Sequence, residues 1–116
     1  HVLALVREVR ETVPVVLFSN ATSRLPRDLE VLGLAEEVDG VISSSDLGLA
    51  KPDPAAFLAA ARRCARGPHE CLFVDDTLAN VTGAREVGMP AHHFTSVTDL
   101  RCLLTTVGLV AASAGR

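Results

Sequence analysis

The sequence predicts an α/β domain of three layers, a mainly parallel sheet with helices on both faces. Two observations carry this expectation. Short unbroken apolar runs, the pattern of strands covered on both sides, alternate along the chain with stretches of helical period. The connections between them are short enough for right-handed crossovers. A third observation places the chemistry: the islands Phe18-Ser19-Asn20 and Val74-Asp75-Asp76 end apolar runs, and Lys51-Pro52-Asp53-Pro54 opens a helical one. In parallel sheets, ligands gather outside the carboxyl ends of the strands.

Val2, Val6, Val9 and Val13 fall on one stripe of a first helix, which Pro14 stops. Val15 to Phe18 form a strand, with Ser19 and Asn20 just past its end. Leu25, Leu29 and Leu32 then predict a helix with Ser23 as N-cap and Gly33 as stop. A second strand runs from Val38 to Ile42, interrupted at Gly40, and Ser43-Ser44-Ser45-Asp46 read as a loop. Asp53 as N-cap and Pro54 in the first turn open a helix whose apolar face is Phe57, Ala60, Ala61 and Cys64. Gly67-Pro68 breaks it. Cys71 to Val74 is the most strongly marked buried strand, and Asp75-Asp76 terminate it. A helix from about Leu78 to Val87 ends at Gly88, Pro90 to Phe94 form the last strand, and Thr98 or Asp99 caps a helix running to about Gly108. The stretch from Val110 to Arg116 reads as a frayed tail, which leaves residues 1–109 as the domain.

With 116 residues, 48% of them apolar, the chain suits one compact domain. The net charge of −3 is mild, and the eleven basic residues form no run, which speaks against a nucleic-acid partner. Apolar stretches fall short of the roughly 18 residues of a membrane span, and no charged leader precedes an apolar signal core. A soluble, cytoplasmic protein is the expectation. Cys64, Cys71 and Cys102 are odd in number and lack CxxC spacing, so they read as buried thiols rather than a disulfide framework or zinc site. The chain starts at His1 and its one methionine is Met89, so these residues are expected to belong to a longer polypeptide.

Adjacent carboxylates at a strand end repel, and a hard cation such as magnesium relieves this while keeping waters and substrate phosphate as its other ligands. Alternation along a strand makes one of Asp75 and Asp76 the direct ligand and the other a supporting group, and Asp76 is favoured. The same pair alone reads more readily as a helix cap. Ser19 and the turn at Asn20 could hold a phosphate oxygen, although taken alone they read more readily as ordinary turn residues. Lys51 could neutralise phosphate, or be a solvated lysine beside a cap. Asn80, one turn past Asp76, could steady the metal loop or face solvent. His92 and His93 alternate faces, so both cannot enter one site, and packing or exposure is expected of each.

Taken in order, Val-Val-Leu-Phe-Ser-Asn, Leu-Ala-Lys-Pro-Asp-Pro-Ala-Ala-Phe and Leu-Phe-Val-Asp-Asp-Thr-Leu-Ala-Asn-Val-Thr-Gly-Ala-Arg-Glu-Val-Gly-Met resemble the second, third and fourth motifs of the haloacid dehalogenase-like hydrolase superfamily. The likeness runs from about residue 14 to 104 and is nearest to the branch of small-molecule phosphatases and β-phosphoglucomutase-like enzymes. The resemblance implies a Rossmann-like core. It makes Ser19 the hydroxyl on the transferred phosphoryl group with Asn20 beside it, Lys51 the catalytic and phosphate-binding lysine, and Asp75 and Asp76 the acids of a magnesium site. It further implies hydrolysis of a small phosphorylated metabolite through an aspartyl-phosphate. The family's first motif, Asp-x-Asp, occurs nowhere in these residues, so the first strand and the cap are expected upstream and the chain alone is expected to be inactive. A missing segment or another chain should then pair at the central sheet. A non-catalytic binding domain and a 2-haloacid dehalogenase are the rival expectations; paired acids favour the phosphatase.

Overall fold

The computed structural model describes residues 2–19 and 36–110. The helix expected at Leu25 to Leu32, with Ser23 and Gly33 at its ends, lies outside the described residues, as do Asn20 and 111–116. Helix α1 spans Val2–Arg10. Its one fully buried residue is Leu5 rather than the valine stripe, whose members are only half-buried. Leu5 and Val9, one turn apart, share the face that packs on Leu100, Leu104 and Val110.

Strand β1 (Val16–Ser19) pairs in parallel with β2 (Gly40–Ser43), which sets Ser19 opposite Ser43. The second strand begins later than expected because Asp39 is used as an anchor. Its carboxylate accepts the Val15 N–H at 2.7 Å and an Arg10 N–H at 3.0 Å. The serine run read as a loop is a one-turn helix, α2 (Ser44–Leu47), because Ser43 Oγ caps the Ser45 N–H at 3.2 Å. Helix α3 (Pro54–Arg63) starts as expected, with the Asp53 carboxylate accepting from Ala55 N at 3.0 Å.

Cys71 donates its N–H back to Pro68, closing a 3-10 turn over Pro68–Glu70. Strand β3 is therefore shortened to Phe73–Asp75, and it pairs in parallel with β4 (Ala91–His93). Helix α4 covers Leu78–Glu86 and leaves through Gly88, whose φ of +80° suits a residue without Cβ. Helix α5 (Val97–Thr106) is capped by Ser96, not Thr98 or Asp99, since Ser96 Oγ reaches the Asp99 N–H at 3.1 Å. An Arg101–Glu8 fork, at 3.2 and 2.6 Å, ties α5 to α1.

Successive residues of β3 show the layering. Phe73 packs with Phe57, Ala61, Ala84 and Met89 of one core, and Val74 with Leu5, Leu100 and Leu104 of the other. Helices α3 and α4 thus cover one face and α1 and α5 the opposite one, the three-layer α/β arrangement the sequence predicts. The strands form two hydrogen-bonded pairs, β1 with β2 and β3 with β4. Aromatic rings connect the pairs: Phe18 of β1 meets Phe57 at 5.8 Å and Phe73 at 6.5 Å, both edge to face. Among the described residues no helix is long and apolar enough to cross a membrane. The cysteines are not buried thiols: Cys64 and Cys71, at the ends of α3 and of the 3-10 turn, are half-buried, Cys102 on α5 is exposed, and none is in a disulfide.

Candidate functional site

The turn before α3 carries Lys51, and its peptide with Pro52 is cis. The Lys51 ammonium donates to the Phe18 carbonyl at 3.0 Å and to Asp75 Oδ2 at 3.1 Å. It lies 5.1 Å from the Phe18 ring centroid and 5.5 Å from that of Phe73. Lys51 thus joins the carboxyl ends of β1 and β3, although the turn that carries it belongs to neither strand. The pair is largely removed from water, with side chains 8% and 11% exposed, so the attraction is screened far less than at a surface.

Asp75 is held from three sides. The Thr77 N–H donates to Oδ1 at 2.7 Å, and the Asn80 amide joins Lys51 on Oδ2 at 3.2 Å. Burial pushes the Asp75 carboxyl up, but the Thr77 N–H, the Lys51 ammonium and the Asn80 amide outweigh it and hold the group below the ordinary carboxylate range. A lowered folded-state value means that this contribution to stability is complete above the unfolded value, about 3.9, and is lost as pH falls through the folded one. Urea denaturation across the acid range is expected to show stability declining below about pH 4, with a shallower decline in Asp75→Asn. An identical slope in the variant would exclude Asp75 as a contributor.

Asp76, the next residue, is open to water. Its carboxylate is exposed, with the Thr77 hydroxyl 3.4 Å away, and its backbone carbonyl meets His93 Nε2 at 3.0 Å. The two acids thus differ in exposure, Asp75 tied to the lysine and Asp76 open to water, and because β3 ends at Asp75 the alternation expected of the pair does not extend to Asp76. Among the described residues no group of three or more His, Cys, Asp or Glu could form a closed metal cage. One or two carboxylates do suit magnesium, which keeps waters and takes phosphate oxygens.

Ser19 ends β1 directly after Phe18, whose carbonyl receives Lys51, and Asp76 directly follows Asp75, so Lys51 links the two strand ends at which Ser19 and the acids stand. Asn20 lies outside the described residues. Asn80 is bonded to Asp75 rather than free on the helix face. His92 turns outward to Asp99 at 2.8 Å. His93, set aside on sequence grounds, stands in register with Asp75 and touches the Asp76 carbonyl. Strand pairing was the signal for it, and pairing is not written locally.

A family model for haloacid dehalogenase-like hydrolases matches residues 1–88. A phosphatase of Mycobacterium tuberculosis is 44% identical over 64 residues, which take in 55% of this chain and 30% of that protein. A solved but uncharacterised protein of Corynebacterium glutamicum superposes with a TM-score of 0.69 at 29% identity, covering 97% of this chain and 85% of the other. An enzyme of the same family from Bacteroides thetaiotaomicron, solved with magnesium and inorganic phosphate, gives a TM-score of 0.69 at 24% identity, covering 87% and 55%. The chain spans less than a third of the length of the curated relatives it matches.

Proposed function

Because the chain belongs to the haloacid dehalogenase-like hydrolase family, we propose that its site serves magnesium-dependent hydrolysis of a small phosphorylated metabolite. The observation that carries this reading is the buried Lys51–Asp75 pair joining two strand ends, with the exposed Asp76 carboxylate beside it. Lys51 is the cation for a phosphoryl group and for a nucleophile's carboxylate. Ser19 and Asn20 hold phosphoryl oxygens. Asp75 fixes the lysine, and Asp76 holds the metal with Asp75 behind it. Magnesium, when bound, neutralises charge on the phosphoryl oxygens.

No Asp-x-Asp occurs in these 116 residues, so the proposed nucleophile is an aspartate from another segment or another chain. Its carboxylate oxygen attacks phosphorus, and the bond to the substrate oxygen breaks as the second aspartate of that motif gives this oxygen a proton. Water, losing a proton to the same aspartate, then cleaves the aspartyl-phosphate to phosphate and free carboxylate. The place proposed for the strand that carries it is between β1 and β3, where it would join the two strand pairs into one sheet and protect their edges. Without it the chain is expected to be inactive.

Asp76→Asn tests the metal assignment. Calorimetry is expected to show magnesium affinity falling at least tenfold, and magnesium-dependent hydrolysis by the completed protein falling with it, while the circular dichroism spectrum is retained. Unchanged affinity and activity would remove Asp76 from the site.

A further inference from the structure

The fourth helix touches the lysine turn at a place where only glycine fits. A Cβ on Gly83 would collide with the Pro52 carbonyl oxygen and come within 2.9 Å of the Phe57 ring. Neither neighbour can yield easily. The carbonyl is main chain, one residue after Lys51, and Phe57 is fully buried among Ala61, Phe73 and Ala84. Helix α4 therefore lies directly on the backbone that carries Lys51.

The same helix holds the other partner of the ion pair. Asn80, one turn before Gly83 and on the same face, donates its amide to Asp75 Oδ2 at 3.2 Å. We propose that Gly83 is a positioning residue: with Asn80 it makes one face of α4 the gauge that sets the separation of Lys51 and Asp75. The lysine has little slack, since its ammonium already reaches both the Phe18 carbonyl and Asp75 at about 3 Å. Any retreat of the Lys51-Pro52 turn from α4 moves Lys51 away from an acid that α4 keeps in place. As a catalytic statement, this rests on the hydrolase reading; as a statement about the ion pair it does not.

The test uses Gly83→Ala, with the exposed neighbour Thr82→Ala as control. In the chain as it stands, the nitrogen-15 resonance of the Lys51 ammonium reports the pair, because a buried, bonded ammonium exchanges slowly with water. That signal is expected to be lost or displaced in Gly83→Ala while the circular dichroism spectrum is unchanged, and retained in Thr82→Ala. In the completed, hydrolysing protein, Gly83→Ala is expected to lower kcat on the order of 10²-fold with KM within about twofold. Adding Lys51→Ala should cost little more, because both changes remove the same function. If Gly83→Ala does not fold, Asn80→Ala removes the other half of the gauge, and the resonance is read there, with loss or displacement expected. An unmoved Lys51 resonance in a folded alanine variant, or losses that multiply with those of Lys51→Ala, would overturn the proposal. Failure of the wild-type protein to hydrolyse any phosphate would overturn the functional reading alone, because the resonance experiment needs no catalysis.

Discussion

Replacing Lys51 by alanine is expected to cost about 3 kcal/mol of stability, because it leaves the Asp75 carboxylate in a largely dry site without its counter-charge. The side chains are 8% and 11% exposed, so solvent screening does little to soften the loss. Two remaining donors, the Thr77 N–H and the Asn80 amide, keep the cost from being larger. Turnover by the completed protein should fall as well, since no other cation among the described residues reaches Asp75. The two effects separate in the double variant Lys51→Met, Asp75→Asn. Removing both charges should restore most of the stability and none of the activity. Urea denaturation of the single and double variants reads this directly, and a double variant no more stable than Lys51→Ala would show that the charge pair is not what matters.

Phe57→Ala is expected to cost about 4 kcal/mol, the larger end of what one core truncation does. Phe57 is fully buried, 4.9 Å from the Phe73 ring and 5.8 Å from that of Phe18. Phe18 and Phe73 lie under the lysine and Phe57 of α3 packs edge to face on both, so the cavity would open beneath the helix where the two strand pairs meet. Since folded domains hold only about 5–15 kcal/mol in reserve, the variant should melt far below the parent. Phe57→Leu, which keeps most of the volume, should cost under about 1.5 kcal/mol. Thermal melts followed by circular dichroism check both values, and an alanine variant within 1 kcal/mol of the parent, by the same measure, would mean the cavity collapses freely.

Locally written features were legible in the sequence. Asp53-Pro54 announces a helix start through chemistry contained in two residues, and the apolar run before Asp75 announces a buried strand. The difference in exposure between Asp75 and Asp76 does not follow from strand alternation, because β3 ends at Asp75. What was not legible depends on distant partners. Leu5 rather than the valine stripe is buried because α5, nearly the whole chain away, offers Leu100 and Leu104 to that side of α1. Ser96 displaces Thr98 and Asp99 as cap through a hydrogen bond that depends on backbone angles, not on residue type alone. Gly83 looks in sequence like a weak point in a helix. Only the fold brings Pro52, in a separate turn, against it. The likeness to a hydrolase family rests on motifs in order, and the geometry adds how Lys51 brings the second and fourth of them together.

The most direct test of the account is hydrolysis of an aryl phosphate, with and without magnesium, by these 116 residues alone and by the same residues completed with an Asp-x-Asp strand. Turnover that requires both the strand and magnesium is the predicted result. Turnover by the 116 residues alone would contradict the account, because it would place the nucleophile among residues that were given other roles.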